Sequence, residues 1–235
     1  MITVYPAEKM GRSDLGWLQS WFHFSFADYE NPARVHFGAL RVINDDLVKA
    51  GTGFDTHGHR DMEIISYVVD GGLTHADSMG NQRTLTRGQV QYMSAGTGVR
   101  HSEHNRGSET TRLLQVWIFP DRKGYAPRYG DHAFDWRARE NQWLHLVSPD
   151  GGPAPVQIHQ DANFHATALS AGGETRFEVG AGRQAYLVLI EGDARINGET
   201  LQARDGLESV ETTLEILTDT GAHMLVIEMA AGPVD

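Results

Sequence analysis

Short apolar runs separated by glycine- and acid-containing turns, with almost no helical periodicity, set the pattern of this chain. Val35–Ile43, Met62–Val69, Gln91–Ser94 and Leu113–Phe119 read as strands in the first half. His165–Leu169, Ala185–Ile190, Ala194–Ile196, Glu215–Leu217 and Met224–Met229 read the same way in the second. Between them lie turn signals such as Asp70-Gly71-Gly72, Met79-Gly80-Asn81, Glu191-Gly192-Asp193 and Asn197-Gly198. Strands at this spacing, without intervening helices, predict an all-β sandwich or barrel. The stretch Asp121–Pro155 is rich in Pro, Gly and charge and is the expected connection between two halves, with a short strand at Leu144–Val147 packed inside it.

An internal repeat supports the two halves. Glu63-Ile64-Ile65-Ser66-Tyr67-Val68-Val69-Asp70-Gly71 runs from a polar residue through an apolar strand to acid-Gly. Gln184-Ala185-Tyr186-Leu187-Val188-Leu189-Ile190-Glu191-Gly192 does so at identical spacing. The expected domains are residues 1–135 and 136–235.

The most informative polar residues are His57, His59, His101 and Glu103. Each pair is spaced i, i+2, so on a β-strand its two side chains leave the same face. Two such strands in one barrel could close three imidazoles and one carboxylate around a divalent metal, with coordination positions left open. The repeat offset puts Glu178 where His57 stands and Gly180 where His59 stands, and no histidine lies between Gly206 and Ala222. The second half is therefore expected to lack the ligands. Glu63 lies an even number of residues from both His57 and His59, so an unbroken strand would aim it at the metal as well. A lone His-x-His is usually incidental; two matched pairs are harder to dismiss.

Composition narrows the chemistry. The chain has 235 residues and no cysteine, which excludes disulfides, thiolate metal sites and a cysteine nucleophile. Its 31 acidic against 20 basic residues give a net charge of −11, which argues against direct nucleic-acid binding. The opening MITVYPAEKM has no secretory pattern and no stretch reaches the apolar length of a membrane span, so the cytoplasm is expected.

Gly51-x5-His57-x-His59-x3-Glu63, followed by Gly71, resembles the first conserved motif of the cupin superfamily. Gly88-x5-Ser94-x-Gly96, followed by His101-x3-Asn105, resembles the second, with Ser94 in place of the usual proline. The segments 57–63 and 93–103 are similar to the pirin family in particular. So are the aromatic opening Gly16–Ala27, Leu40–Asp46 and His75-Ala76-Asp77-Ser78-Met79-Gly80-Asn81. The likeness is closest to bacterial pirin-like proteins with quercetin 2,3-dioxygenase activity.

That resemblance implies a bicupin, two stacked β-barrels in one chain, with metal ligands His57, His59, His101 and Glu103. Glu63 then falls in the surrounding layer or pairs with a base such as Arg60 or Arg100. Iron(II) suits the donor set best, and nickel, cobalt, manganese, copper and zinc also fit. The implied reaction opens a flavonol with O2 and releases carbon monoxide, Glu103 taking the substrate hydroxyl proton. Two alternatives stand beside it: a metal-containing regulatory protein that modulates transcription factors or enzymes, and a cupin acting on an unknown metabolite. One chain contains both barrels, so a monomer is expected. His75 and His104 are read as second-layer or surface groups. His23, His36, His132, His145, His159, His165 and His223 are read as structural or solvated. The cluster Trp17, Trp21, Phe22, Phe24 and Phe26 is assigned to core packing and domain contact rather than to stacking a flat substrate.

Overall fold

Alternating polar and apolar positions become strand after strand of antiparallel sheet. The computed structural model describes residues 1–232, which divide into two compact units. Residues 11–134 and 158–160 make one; residues 1–10, 135–157 and 161 onward make the other. A division by chain order at 135/136 therefore misplaces the first ten residues. Their strand β1 (Ile2–Tyr5) pairs with a strand near the C-terminus, Ile2 opposite Ser209.

The first unit contains β2 (Gly11–Asp14), β3 (Leu18–Phe22), β4 (Leu40–Val48), β5 (Gly53–His59), β6 (Glu63–Asp70) and β7 (Gly72–Asp77). It continues with β8 (Gln82–Thr86), β9 (Val90–Ser94), β10 (Val99–His104), β11 (Thr111–Ile118) and β12 (Arg128–His132). Seven strands form a sheet in the order β12-β9-β6-β11-β4-β3-β2, and four form another, β5-β10-β7-β8. The second unit adds β13 (Leu144–Pro149), β14 (Val156–Ile158), β15 (Ala162–Leu169), β16 (Glu174–Phe177) and β17 (Arg183–Ile196). Its last strands are β18 (Glu199–Gln202), β19 (Gly206–Val210), β20 (Leu214–Leu217) and β21 (Ala222–Ala230). Among the described residues the helical turns are two short 3-10 segments, Ala7–Lys9 and Trp136–Arg139. No helix among the described residues is long and apolar enough to cross a membrane.

Several strand expectations shift. The strand expected at Val35–Ile43 begins at Leu40 instead, because Gly38 turns the chain with φ +52° and Val35 is exposed. Ala185–Ile190 and Ala194–Ile196 are one continuous strand. The predicted turn at Glu191-Gly192-Asp193 runs on as part of β17, just past a bulge at Ile190 where the register against β21 shifts. Asn197 and Gly198, both at positive φ, do turn the chain between β17 and β18.

The repeat is visible in the strand order. β6 lies between β9 and β11, and β17 lies between β19 and β21. Gly71 and Gly192, which end the two copies, both have positive φ, +75° and +84°. What differs is the filling. Ala185, Leu187 and Leu189 on β17 belong to one apolar cluster with Leu207, Met224 and Val226. The equivalent positions on β6 are Ile64, Ser66 and Val68; the outer two join small apolar clusters, and Ser66 does not. One hydroxyl thus stands where the second unit packs a leucine, and the interior around it is polar.

Candidate metal centre and its cavity

The polar interior follows one rung of the seven-stranded sheet. Phe22 pairs with Asn44, Asn44 with Gln115, Gln115 with Ser66, and Ser66 with Gln91. Side chains at directly paired positions share a face. Glu103 of β10, in the four-stranded sheet, reaches across to this rung. Its Oε1 accepts from the Gln91 amide at 2.6 Å and lies 3.0 Å from the Ser66 hydroxyl, and its Oε2 accepts from the Gln115 amide at 2.8 Å. Only 1% of Glu103 is exposed, so these donors replace water around the carboxylate.

The two histidine-bearing strands are neighbours. β5 pairs antiparallel with β10, placing His57 opposite His101 and His59 opposite Val99. The register then slips, because Asp55 and Thr56 together oppose Ser102. This bulge lets the His57 Nδ1 meet the Asp55 carbonyl at 2.8 Å, which turns Nε2 of that ring away from the strand. The three imidazole centroids lie 4.8, 4.5 and 4.9 Å apart. One ligating nitrogen from each of His57, His59 and His101 falls within 4.8 Å of the others.

The structure therefore brings the three predicted histidines together. It places the Glu103 carboxylate in a second overlapping group, with His101 and His75. Among the described residues no such group lies in the second unit. Burial, reinforced by the neighbouring imidazoles, holds His59 down to about 4 and His101 down to about 3. Both rings are neutral at pH 7, the state in which imidazole ligates. His101 Nε2 is buried and has no hydrogen-bond partner.

Glu63 does not join them. The β5 strand ends at His59 and Asp61 turns the chain at φ +48°, so the even spacing no longer sets a common face. Its Oε1 accepts from Ser94 at 2.6 Å and its Oε2 from the His159 backbone N–H at 3.2 Å. These contacts, rather than Arg60 or Arg100, hold Glu63. Burial pushes its carboxyl up against the lowering effect of both bonds. The following motif glycine, Gly96, has φ +44°, and a Cβ there would lie 2.0 Å from the Tyr125 carbonyl oxygen. Only glycine fits that approach.

A cavity of about 810 Å³ opens onto His57, His59 and Glu103, within the range of small-molecule sites. Trp17, Phe22, Phe26, Phe54 and Trp117 line it, with Ser20, Asn44, Asp46 and Gln115 among the polar groups. Three of the five aromatics assigned to core packing and domain contact, Trp17, Phe22 and Phe26, also line the cavity, while Phe22 is buried and Trp17 packs against a core cluster as expected. Phe24 is buried beneath Arg34, and Trp21 carries Arg12 over its ring. The Trp117 edge meets the His59 ring at 5.0 Å. Asp46 accepts from the Ser20 hydroxyl at 2.5 Å. Burial pushes the Asp46 carboxyl up to about 7, against that bond and with help from Asp45 and Glu103.

Of the remaining histidines, His104 sits at the cavity wall, 3.8 Å from Asp55. His75 is fully buried against His101. His145 and His165 stack with centroids 4.2 Å apart, a pairing their spacing did not reveal. Ser66, Gln91, Gln115, Asn44 and Asp46 were also missed. Each is a polar residue at an inward position of an otherwise apolar strand, and that break in pattern was the available signal.

Comparison with known proteins gives the chain a family. The Pirin family profile matches residues 4–118, and that of the quercetinase C-terminal cupin domain matches residues 145–229. A quercetin 2,3-dioxygenase of Escherichia coli strain K12 is 40% identical over 231 residues, 97% of this chain and 99% of the relative. A pirin-like protein of Caulobacter vibrioides is 42% identical over 234 residues, 98% of this chain and 100% of the relative. Among solved structures, the bacterial pirin YhhW from Escherichia coli in complex with nickel(II) matches with a TM-score of 0.92 at 38% identity, covering 99% of this chain and 100% of that one.

Proposed function

Because the chain belongs to the pirin family, we propose that it is a metal-dependent dioxygenase that opens flavonols such as quercetin with O2 and releases carbon monoxide. The observation that carries the metal is the convergence of three imidazoles on a point where His101 Nε2 is buried without a partner. A buried lone pair without a donor is costly, and a cation is the partner this donor set suits. His57, His59 and His101 would hold one divalent transition metal, with Glu103 as the fourth ligand; iron(II) and nickel(II) both suit the set. When bound, the metal supplies positive charge that lowers the pKa of a ligating hydroxyl and templates substrate beside O2.

The protein's own residues do the rest. Gln91 and Gln115 hold the Glu103 carboxylate by its two oxygens. Oε2 has one amide donor and retains a lone pair to receive the substrate's hydroxyl proton. The walls Trp17, Phe26, Phe54 and Trp117 give flat apolar surfaces to an aromatic ring and keep bulk water out. Asn44 and Asp46 face the same space and meet ring hydroxyls.

Aerobic assay of carbon monoxide release from quercetin, with elemental analysis of protein purified without chelator or affinity metal, tests this reading. Turnover and metal content should both be lost in His57→Ala with its circular dichroism unchanged. A folded wild type that carries metal but releases no carbon monoxide from any flavonol would overturn the dioxygenase assignment.

A further inference from the structure

We propose that His75 and Asp77 are positioning residues that fix the tautomer of His101, so that its Nε2 is presented as a lone pair. This rests on the metal role proposed above for the three histidines. β7 and β10 are paired with Glu103 opposite His75 and His101 opposite Asp77, which sets these four side by side.

The proton assignment follows from Asp77. Its Oδ1 accepts from the backbone N–H groups of Met79 and Asn81 at 2.9 and 3.1 Å, and the Asn81 side-chain amide reaches both carboxylate oxygens. Held by donors alone, Asp77 is an acceptor, and its Oδ2 lies 3.0 Å from His75 Nε2. The two side chains are 1% and 0% exposed, so water does not compete. His75 Nε2 must carry the hydrogen. In the neutral form that the relay takes His75 to have, the ring carries one N–H, so His75 Nδ1 is a lone pair. That atom faces His101 Nδ1 at 3.5 Å. Two lone pairs would repel there, so His101 Nδ1 supplies the hydrogen and His101 Nε2 is bare. The Tyr129 ring stacks on His75 at 4.5 Å and 17°, fixing its plane.

The His75–Asn81 motif thus acquires a role: its turn orients Asp77, Asp77 orients His75, and His75 orients His101. The negative end of the relay also makes the outward nitrogen a stronger donor, as groups behind metal-bound imidazoles do.

Two substitutions separate this role from packing. In Asp77→Asn the amide donates to His75 Nε2, the His75 hydrogen moves to Nδ1, and His101 is forced to carry its hydrogen on Nε2. In His75→Gln the side-chain oxygen still accepts from His101 and the amide still donates to Asp77. Calorimetric titration of metal-free protein with nickel(II) should show Asp77→Asn weakened by about 10- to 100-fold and His75→Gln within about threefold of wild type. Long-range nitrogen–proton NMR of the metal-free wild type should show His101 in its Nδ1–H form. Finding the Nε2–H form there, or undiminished nickel affinity in a folded Asp77→Asn variant, would overturn the relay. Wild-type protein that binds no nickel sensitive to His57→Ala would instead overturn the metal reading beneath it. The NMR result stands on wild-type protein and decides the relay even if Asp77→Asn does not fold.

Discussion

Asp46 offers a measurable consequence of the buried cavity wall. In the unfolded chain its carboxyl titrates near the ordinary 3.8, whereas in the folded chain burial keeps the proton until about 7. Between those values the native state binds one more proton than the unfolded state. Wild-type stability therefore falls by about 1.4 kcal/mol per pH unit from this group, about 4 kcal/mol across the window. The contribution is fully present below 3.8 and lost as pH rises through about 7. Asp46→Asn keeps the shape and can accept the Ser20 hydrogen bond, but it has nothing to ionise. Every other titrating group is shared by the two proteins, so the variant's stability relative to wild type should climb by about 4 kcal/mol from pH 4 to pH 7 and then level off. Urea denaturation of chelator-treated protein at about pH 4.5, 6 and 8, followed by tryptophan fluorescence, reads this difference. Trp17, Trp21 and Trp117 all lie in the same unit as Asp46. Parallel pH profiles for the two proteins would show that Asp46 is not protonated in the fold and would refute the reasoning. Loading a divalent metal should shrink the difference, since a nearby positive charge favours the carboxylate.

Two further substitutions probe the site's framework. Glu103→Gln sets an amide N–H against the Gln91 or Gln115 donor, which should cost about 1–3 kcal/mol of stability and lower carbon monoxide release at least about 100-fold; near-normal turnover would remove Glu103 as the base. Gly96→Ala places a Cβ on the Tyr125 carbonyl at positive φ and should destabilise the protein by about 1–3 kcal/mol. A melting temperature unchanged in that variant would contradict the tight turn.

Much of the fold was legible because antiparallel strands leave a period-two signature and the turns carry glycine. The i, i+2 spacing of His57/His59 and His101/Glu103 placed each pair on a common face, and the ladder between β5 and β10 brings the histidines together. Local pattern could not show where a strand breaks. Glu63 has the right parity but lies beyond the Asp61 turn, and β17 runs through a glycine that reads as a hairpin. Nor could sequence order show that Ser66, Gln91 and Gln115 converge on one carboxylate, because those contacts depend on two sheets facing each other. The aromatic opening packs as expected at Phe22, Phe24 and Trp17, but its second role as a cavity wall was hidden for a related reason: an amphipathic pattern says which side chains turn inward, not whether the inside is filled.

The placement of β1 has its own consequence for how the chain assembles. Strand β1 is completed by a partner about two hundred residues downstream, Ile2 lying opposite Ser209 and Tyr5 opposite Gly206. During synthesis residues 11–134 can close while this leading segment still waits, an unsatisfied edge until β19 emerges. Interference with β1, Val4→Pro for instance, should therefore slow or weaken maturation of the ligand-poor unit while the histidine cluster of the other unit forms on schedule.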